Sequence, residues 1–376
     1  MDRFSEFLEK AEKGSSLRSI PEEGSRRIDL LSNDYLGLGA RSREFVDEFL
    51  KLYGDADFNS SASRLLSRKQ KYHNRLEEKL EELYHKPALL FNTGYHANSG
   101  IISALGRPET TLFADELIHA SARDGLMLAQ VHRKSKVSFF RHNDVKHLAE
   151  LIESDDAKEK IIVTEGIFSM DGDIGPLKEL VELKHRHDDV LLYVDEAHSF
   201  GTRGELGLGI AEELGLIEEI DIIVGTFGKA LASQGAFVVT RKNIRDYLIN
   251  RARTFIFSTA IPPVNVAWTL FMLSKSLKMN EARRYLKELS EDFRKALESA
   301  TGKPSKSSSH IIPHICTSAE ETVECAEKLR KAGYDVLPIR HPSVPRGQER
   351  VRLSLNSELT LASLLPIADL LRSDKE

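Results

Sequence analysis

Residues 190–198 read Val190-Leu-Leu-Tyr-Val-Asp-Glu-Ala-His198. A short, continuous apolar run of this kind predicts a buried strand, and two carboxylates and an imidazole follow it directly. Because ligands in open parallel sheets bind outside the carboxyl ends of the strands, these polar groups stand where a ligand would lie. An Asp at a strand end can also cap the following turn. The segment by itself fits both roles, a functional carboxylate and a cap.

Similar apolar runs recur on both sides of this segment. They predict strands at residues 88–91, 111–114, 137–140, 160–164, 220–225 and 236–240. Between the strands, apolar residues repeat with the helical period at residues 72–84, 119–129, 145–152 and 177–185. The alternation of strands and helices predicts an α/β fold with a mainly parallel sheet that helices cover on both faces.

The pattern changes after Pro262 and Pro263. Two long helical patterns are followed by an apolar run, a further helix and an alternating strand, at residues 264–277, 281–298, 310–316 and 351–355. We therefore predict a smaller α+β C-terminal domain. The full division is an N-terminal helix and arm at 1–44, a large domain at 45–279 and the small domain at 280–376. This agrees with the two or three domains expected for 376 residues.

The composition is that of an ordinary globular protein. Hydrophobic residues make up 41% and charged residues 30%, and the formal net charge is −5, so nothing calls for a nucleic acid or an anionic membrane as partner. Cys316 and Cys325 are too few for a disulfide framework or a CxxC-based zinc site, which favours a reducing, cytoplasmic location. The sequence contains no apolar run of 18 residues and no signal-peptide pattern.

A second strand end carries a candidate amine. Residues 220–230 read Ile220-Asp-Ile-Ile-Val-Gly-Thr-Phe-Gly-Lys-Ala230, in which small residues expose Thr226 and Lys229. Such a lysine can bind a phosphate or form a Schiff base, although a solvated surface lysine is the commoner case. The segment is not a P-loop, because Ile223 replaces the first glycine and Ala230 follows the lysine. We therefore exclude a nucleoside triphosphatase.

Two further segments offer polar groups. In Leu90-Phe-Asn-Thr-Gly-Tyr-His-Ala-Asn98, Thr93 and Gly94 lie between a strand and a helix, a place that suits either an anion or a simple tight turn. His119 stands at the start of a predicted helix. The pair His185 and His187 lacks the further ligands that zinc needs, so no metal site is predicted. These two, with Tyr84 and His85, are assigned to the solvated surface.

Six segments occur together in one order. They are Ser32-Asn-Asp-Tyr-Leu-Gly-Leu38, Thr93-Gly-Tyr-His-Ala-Asn98, Leu117-Ile-His-Ala-Ser121, Val163-Thr-Glu-Gly-Ile-Phe-Ser-Met-Asp-Gly-Asp173, Val194-Asp-Glu-Ala-His-Ser199 and Thr226-Phe-Gly-Lys229. In this combination the chain resembles the α-oxoamine synthases, pyridoxal-phosphate enzymes of fold type I. The resemblance runs from about Ser32 to the segment 350–356, and it is strongest to the family member of biotin biosynthesis.

The resemblance implies a role for each matching residue. Lys229 would form the Schiff base with pyridoxal 5'-phosphate, Asp195 would pair with the pyridine nitrogen, His119 would stack on the ring and His198 would lie near the phenolic oxygen. The remaining cofactor contacts would come from Gly94, Tyr95, Ser169 and Thr226, with Thr259 supplied by the neighbouring subunit of a homodimer. The amino-acid carboxylate would be bound by Arg352, assisted by Asn33, and the acyl substrate by Arg18 and Ser343.

The resemblance also implies the reaction. L-Alanine would condense with an acyl-CoA such as pimeloyl-CoA, with Lys229 removing the α-proton and CoA and carbon dioxide leaving. Glycine C-acetyltransferase, 5-aminolevulinate synthase and serine palmitoyltransferase share the same motifs and remain alternatives. So does an inactive partner subunit, against which the intact Lys229, Asp195, His119 and His198 argue. The chain departs from the family pattern at Ser63-Arg-Leu-Leu-Ser-Arg68 and at Ala230-Leu-Ala-Ser-Gln234, which leaves the choice of substrates open.

Overall fold

A computed structural model describes residues 2–13, 17, 20, 27–341 and 343–372. The chain divides into two compact units. The larger one comprises residues 34–169 and 174–284, and the smaller one comprises the described parts of residues 1–33, 170–173 and 285–376. The division of the chain at residues 44 and 279 stays a prediction.

The described residues contain α-helices and β-strands that alternate through the middle of the chain. The helices are α1 Arg3–Lys13, α2 Val46–Tyr53, α3 Lys71–Tyr84, α4 Gly94–Leu105, α5 Ala120–Leu128, α6 Val145–Glu153, α7 Leu177–Lys184, α8 Ile210–Glu213, α9 Lys242–Arg251, α10 Arg253–Ile256, α11 Pro263–Ser276, α12 Asn280–Thr301, α13 Ala319–Lys331 and α14 Leu361–Leu370. The strands are β1 Ile28–Asp29, β2 Ala88–Phe91, β3 Thr110–Asp115, β4 Lys136–Phe140, β5 Glu159–Glu165, β6 Val190–Asp195, β7 Ile222–Thr226, β8 Ala236–Thr240, β9 Ile311–Ile315, β10 Tyr334–Asp335, β11 Pro338–Ile339 and β12 Arg350–Ser354.

The larger unit is built on a seven-stranded sheet in the order β2-β8-β7-β6-β5-β3-β4. Neighbouring strands from β7 to β4 run parallel, and β8 is antiparallel to both β2 and β7. All seven predicted strands are present, so the prediction of an α/β fold with a mainly parallel sheet is confirmed. In such a sheet, β5, β6 and β7 end at the same edge, which is where a ligand site is expected.

The core lies on the faces of this sheet. Alternate strand residues such as Leu112, Ile161 and Val224 form one buried cluster with residues of α4, α5, α9 and α10. Glycines let the covering helices approach closely: a Cβ at Gly125 of α5 would lie 3.0 Å from the carbonyl oxygen of Asn98 in α4. The sheet and these helices therefore hold the amino end of α4 in a fixed position beside the strand ends.

One surface assignment is wrong. Tyr84, the last residue of α3, is fully buried, and its hydroxyl donates to the carbonyl oxygen of Leu208 at 2.8 Å. The ring packs against Phe237, with the ring centroids 5.6 Å apart. A tyrosine can be buried when its hydroxyl finds a partner, and that partner comes from a loop distant in sequence. His85, which follows it, is exposed.

The smaller unit has its own antiparallel sheet, in the order β11-β12-β9. The short strand β1 pairs in parallel with β10, so that Ile28 stands opposite Tyr334. Arg350 is 1% exposed and pairs with Asp171 at 2.6 Å, so its buried charge is compensated. Among the described residues, no helix combines the length and apolarity needed to cross a bilayer. The cytoplasmic location stays a prediction from the low cysteine content.

Candidate active site

The carboxylate of Asp195 is buried at the end of β6, next to β7 in the sheet. Its Oδ1 accepts the N–H of Ala197 at 2.8 Å, which caps the turn after the strand. Its Oδ2 accepts from Nδ2 of Asn98 in α4 at 2.6 Å. Both roles considered for this carboxylate therefore have a structural basis, since one oxygen caps and the other faces a polar network.

That network links Asp195 to His119. The hydroxyl of Tyr193 donates to Oδ1 of Asn98 at 2.6 Å, which orients the amide so that Nδ2 reaches both Asp195 and the hydroxyl of Ser121, at 2.6 and 2.9 Å. Ser121 Oγ in turn lies 2.7 Å from Nδ1 of His119, the residue that caps α5. A chain of hydrogen bonds thus holds the carboxylate and the imidazole in fixed orientations.

Lys229 lies three residues beyond the end of β7. Its Nζ is 2.8 Å from Nε2 of His198, and Nδ1 of the same ring is 2.7 Å from the hydroxyl of Tyr35. Tyr35 and His198 are both buried. The amine therefore stands beside a group that can exchange a proton with it, and that group is held from its other side by a phenol.

The charges of this cluster act on one another. Burial lowers the pKa of the His119 imidazole, while Asp195 opposes this shift and Lys229 adds to it. The net shift favours the neutral ring. Burial raises the pKa of Glu165 well above its usual value, and the Asp195 carboxylate adds to this effect. Glu165 Oε1 accepts the N–H of His119 at 2.7 Å. Strongly perturbed groups that cluster at strand ends are typical of an active site.

The amino end of α4 forms a cradle for an anion. Thr93 caps this helix of 12 residues by accepting the N–H of His96 at 3.1 Å, and the helix begins at Gly94. A Cβ at Gly94 would meet only the side chain of Thr226, at 3.6 Å. The first N–H groups of a helix have no acceptor within the helix, so this turn suits a phosphate. Thr226 lies beside it, and its hydroxyl donates to the carbonyl oxygen of Gly235 at 3.1 Å.

Other predicted cofactor residues lie around this edge with fewer contacts. Tyr95 is half exposed and its hydroxyl bonds to Asp124. Ser169 is half-buried in the turn after β5. Thr259 is exposed and forms an isolated antiparallel bridge with Ser63.

Three of the predicted substrate residues, Arg352, Asn33 and Ser343, are described by the structure and belong to the smaller unit. Nη2 of Arg352 in β12 donates to Oδ1 of Asn33 at 2.8 Å, so the two residues predicted to act together are in contact. Ser343 is exposed and donates its N–H to the carbonyl oxygen of Arg340 at 2.9 Å. Arg18 lies outside the described residues.

Comparison with known proteins places this arrangement in a family. A sequence model of the aminotransferase class I and II family matches residues 25–369. A protein of Pasteurella multocida named "Putative 8-amino-7-oxononanoate synthase" is 44% identical over 352 residues, covering 92% of this chain and 90% of its own length. A protein of the same name from Neisseria meningitidis is 43% identical over 378 residues, covering 96% and 97%.

The chain belongs to the α-oxoamine synthases.

Solved structures of α-oxoamine synthases share the fold. A serine palmitoyltransferase from Sphingomonas wittichii superposes with a TM-score of 0.87 at 28% identity, over 98% of each chain. An 8-amino-7-oxononanoate synthase from Francisella tularensis superposes with a TM-score of 0.76 at 29% identity, over 92% of this chain and 96% of that one. A serine palmitoyltransferase with bound pyridoxal phosphate has a TM-score of 0.86. The chain is a transferase whose cofactor is pyridoxal 5'-phosphate.

The residues present fit this cofactor as an α-oxoamine synthase would bind it. They supply an amine at Lys229, a buried carboxylate at Asp195 and a phosphate cradle at Gly94 and Thr226. Sequence reasoning assigned no role to Asn98, Ser121 or Tyr35, although all three lie within the quoted motifs. Their position in those motifs indicates that they lie near the site. It does not show which side chain points toward Asp195 or His198, because that depends on how the helices and the 34–39 segment pack.

Proposed function

We propose that the chain condenses L-alanine with a carboxylate-ended acyl-CoA, pimeloyl-CoA or a similar thioester, to give 8-amino-7-oxononanoate, CoA and carbon dioxide. The observation that carries a condensing activity is the contact of Lys229 Nζ with His198 Nε2 at 2.8 Å, at the strand ends that also hold Asp195. The relatives of 42–44% identity that carry the oxononanoate synthase name support the choice of substrates.

The cofactor would be held by the residues of the larger unit. The first turn of α4 at Gly94, Thr226, and Ser169 would bind the phosphate, with Tyr95 beside it. Asp195 would hold a proton on the pyridine nitrogen, since an anionic neighbour stabilises a protonated base. His119, neutral and fixed through Ser121, would pack on the ring. When bound, pyridoxal 5'-phosphate supplies an electron sink that stabilises negative charge on the amino-acid Cα.

The proton transfers would belong to Lys229 and His198. The Lys229 amine would remove the α-proton of alanine as a general base and later return a proton to the same carbon. His198, fixed between Lys229 and Tyr35, would hold the amine in position and exchange protons with it. Burial raises the pKa of the neighbouring Glu165, which favours its neutral form.

A second set of residues would recognise the substrates. The guanidinium of Arg352 would bind the alanine carboxylate, because its planar set of donors matches a planar anion, and Asn33 would fix its orientation. Arg18 and Ser343 would contact the acyl chain, with Arg18 pairing with a distal carboxylate.

The active enzyme would be a homodimer. Thr259 is exposed, and Phe257 beside it is 70% exposed. The paired segment around Ser63 carries Leu66, which is 79% exposed. A second copy that covered these apolar side chains would bring Thr259 to the phosphate of its partner's cofactor.

Steady-state kinetics of CoA release tests the substrate choice. We expect kcat/KM to be highest for alanine with pimeloyl-CoA when alanine, glycine and serine are each assayed with pimeloyl-, acetyl-, succinyl- and palmitoyl-CoA. Some glycine turnover is expected, because one methyl group discriminates by only about 1–3 kcal/mol. Serine palmitoyltransferase activity is the second candidate, since such enzymes superpose with TM-scores up to 0.87. Faster turnover of serine with palmitoyl-CoA would favour it and leave the family unchanged.

A further inference from the structure

The smaller unit contains a cluster of three metal-binding side chains. His314 is on β9, Cys316 follows the last residue of that strand, and Cys325 is on α13. One ring nitrogen of His314 and the two Sγ atoms all lie within 4.8 Å of one another. His314 and Cys316 are buried, whereas Cys325 is half-buried. None of these residues belongs to the proposed catalytic machinery.

This geometry is close to that of a bound zinc ion. In tetrahedral sites the Zn–S and Zn–N bonds are about 2.3 and 2.0 Å, which places neighbouring ligand atoms roughly 3.5–3.8 Å apart. Each pair of ligand atoms would need to approach by no more than about 1.3 Å. The strand end is well fixed for this purpose, because the N–H of Cys316 donates to the carbonyl oxygen of Glu349 at 2.8 Å. Two sulfur ligands and an imidazole also select zinc over magnesium or calcium, which prefer oxygen.

We propose that His314, Cys316 and Cys325 form a zinc-binding site, with two thiolates and an imidazole as ligands and a water molecule in the fourth position. The two thiolates balance the charge of the ion. The site would join β9 to α13 and stabilise the smaller unit, because an ion that binds only the folded chain adds to its stability.

The access of the ion to the cluster agrees with this proposal. The half-buried Cys325 leaves a route for the ion from the surface, while Cys316 and His314 close the inner side. The sequence alone does not reveal the site, because its ligands follow no short zinc motif and meet only when α13 packs beside β9.

Cobalt substitution provides the direct test. The cofactor-loaded enzyme is reduced, freed of metal with a chelator and titrated with Co²⁺. We expect a thiolate-to-cobalt absorption band that saturates at one ion per chain and is abolished by Zn²⁺. Cys325→Ser should lose the band and bind Zn²⁺ at least tenfold more weakly. The matched control, His185→Asn combined with His187→Asn, removes a surface pair and should leave the band unchanged.

A second measurement needs no variant. One equivalent of Zn²⁺ should slow alkylation of Cys325 in the wild-type enzyme at least tenfold and raise its unfolding temperature. The proposal would be overturned if wild type showed no cobalt band. It would also be overturned if Cys325→Ser still bound the metal and the histidine control did not. A Cys316–Cys325 disulfide that forms in preference to metal binding, seen by mass spectrometry after exposure to both, would overturn it as well.

Discussion

Asp195 accepts a hydrogen bond at each carboxylate oxygen, one from the Ala197 N–H and one from the Asn98 amide. Replacement by Asn keeps an acceptor for the Ala197 cap but removes the charge. We expect Asp195→Asn to retain the cofactor and to lose activity by at least about a hundredfold, because an amide cannot hold a proton on the pyridine nitrogen by charge. Cofactor absorbance and kcat measure the two effects separately. The surface variant Asp246→Asn serves as control. Near-normal activity in Asp195→Asn would show that Asp195 only caps the turn after β6.

Lys229 is proposed as the amine that holds the cofactor. We expect Lys229→Ala to abolish turnover and the visible absorbance of the lysine-bound cofactor, because no other amine is proposed for this role. Lys242→Ala, which changes an exposed lysine, should leave both unchanged. Borohydride reduction of the wild-type enzyme followed by peptide mapping should find the cofactor on residue 229. Label on a different lysine would contradict the assignment.

Glu196 is fully buried and accepts from Ser199 and from the N–H groups of Ile210 and Ala211. Burial raises the pKa of this carboxyl to about 7, from an ordinary value of 4.5. The folded chain therefore binds this proton more tightly than the unfolded chain does. Ionisation of this carboxyl does not change the free energy of unfolding below pH 4.5. As the pH rises, ionisation lowers that free energy progressively, and above pH 7 the loss is complete, on the order of 3 kcal/mol.

Glu196→Gln removes this titration. We expect the unfolding temperature of the variant, relative to that of wild type, to rise between pH 5 and pH 8, because only the wild type gains a buried charge over that interval. Thermal unfolding of both proteins with saturating cofactor at four pH values checks this. A difference between the two proteins that stays constant with pH would show that this carboxyl does not titrate in the interval.

At the residue scale, the sequence predicts the groups that follow strand ends. Asp195, His198 and Lys229 each follow an apolar run, and the parallel sheet brings neighbouring strand ends together. Asn98 and Ser121 lie on helices, where the direction of a side chain depends on rotation and packing of the helix. Those are tertiary properties, so no local pattern indicates them.

At the element scale, the packing of α10 on α4 depends on Gly100. A Cβ at this position would lie 1.9 Å from the Thr254 hydroxyl, which itself donates to the carbonyl oxygen of His96 at 2.7 Å. We expect Gly100→Ala to destabilise the protein by about 1–3 kcal/mol, as overpacked cores do. Adding Thr254→Ala should restore part of the loss, although Thr254→Ala alone is destabilising. Thermal unfolding of the two single variants and the double variant measures this coupling, and strictly additive effects would contradict it.

Elements differ in how far their sequence predicts them. The seven strands of the large sheet have four or more residues, and all except the edge strand β4 are almost entirely buried. Each was predicted to within two residues at its ends. The two-residue strands β1, β10 and β11 were not, because two residues give no alternation. The helices α8 and α10 have four residues each, fewer than two turns, and so give no helical period.

At the scale of the whole molecule, the proposed homodimer predicts complementation between inactive variants. In a dimer of Lys229→Ala with Thr259→Glu, one site would carry both changes and the other would carry neither. After subunit exchange of an equal mixture, we expect about a quarter of wild-type activity, since half the dimers are mixed and each has one intact site. Activity of the mixture and mass spectrometry of the exchanged dimers measure this. With exchange confirmed, an inactive mixture would mean that each site is built within one chain.

The pairing of β1 with β10 has a consequence for synthesis on the ribosome. Ile28 cannot meet Tyr334 until the first 334 residues have been translated, which takes roughly 17–67 s at 5–20 residues per second. During that time the amino-terminal segment, with Phe4 and Phe7 on α1, has no completed unit to join. The larger unit, complete at residue 284, can fold first. The pairing of β1 with β10 is therefore a late event, and a nascent chain that stops before Tyr334 leaves β1 without its partner strand.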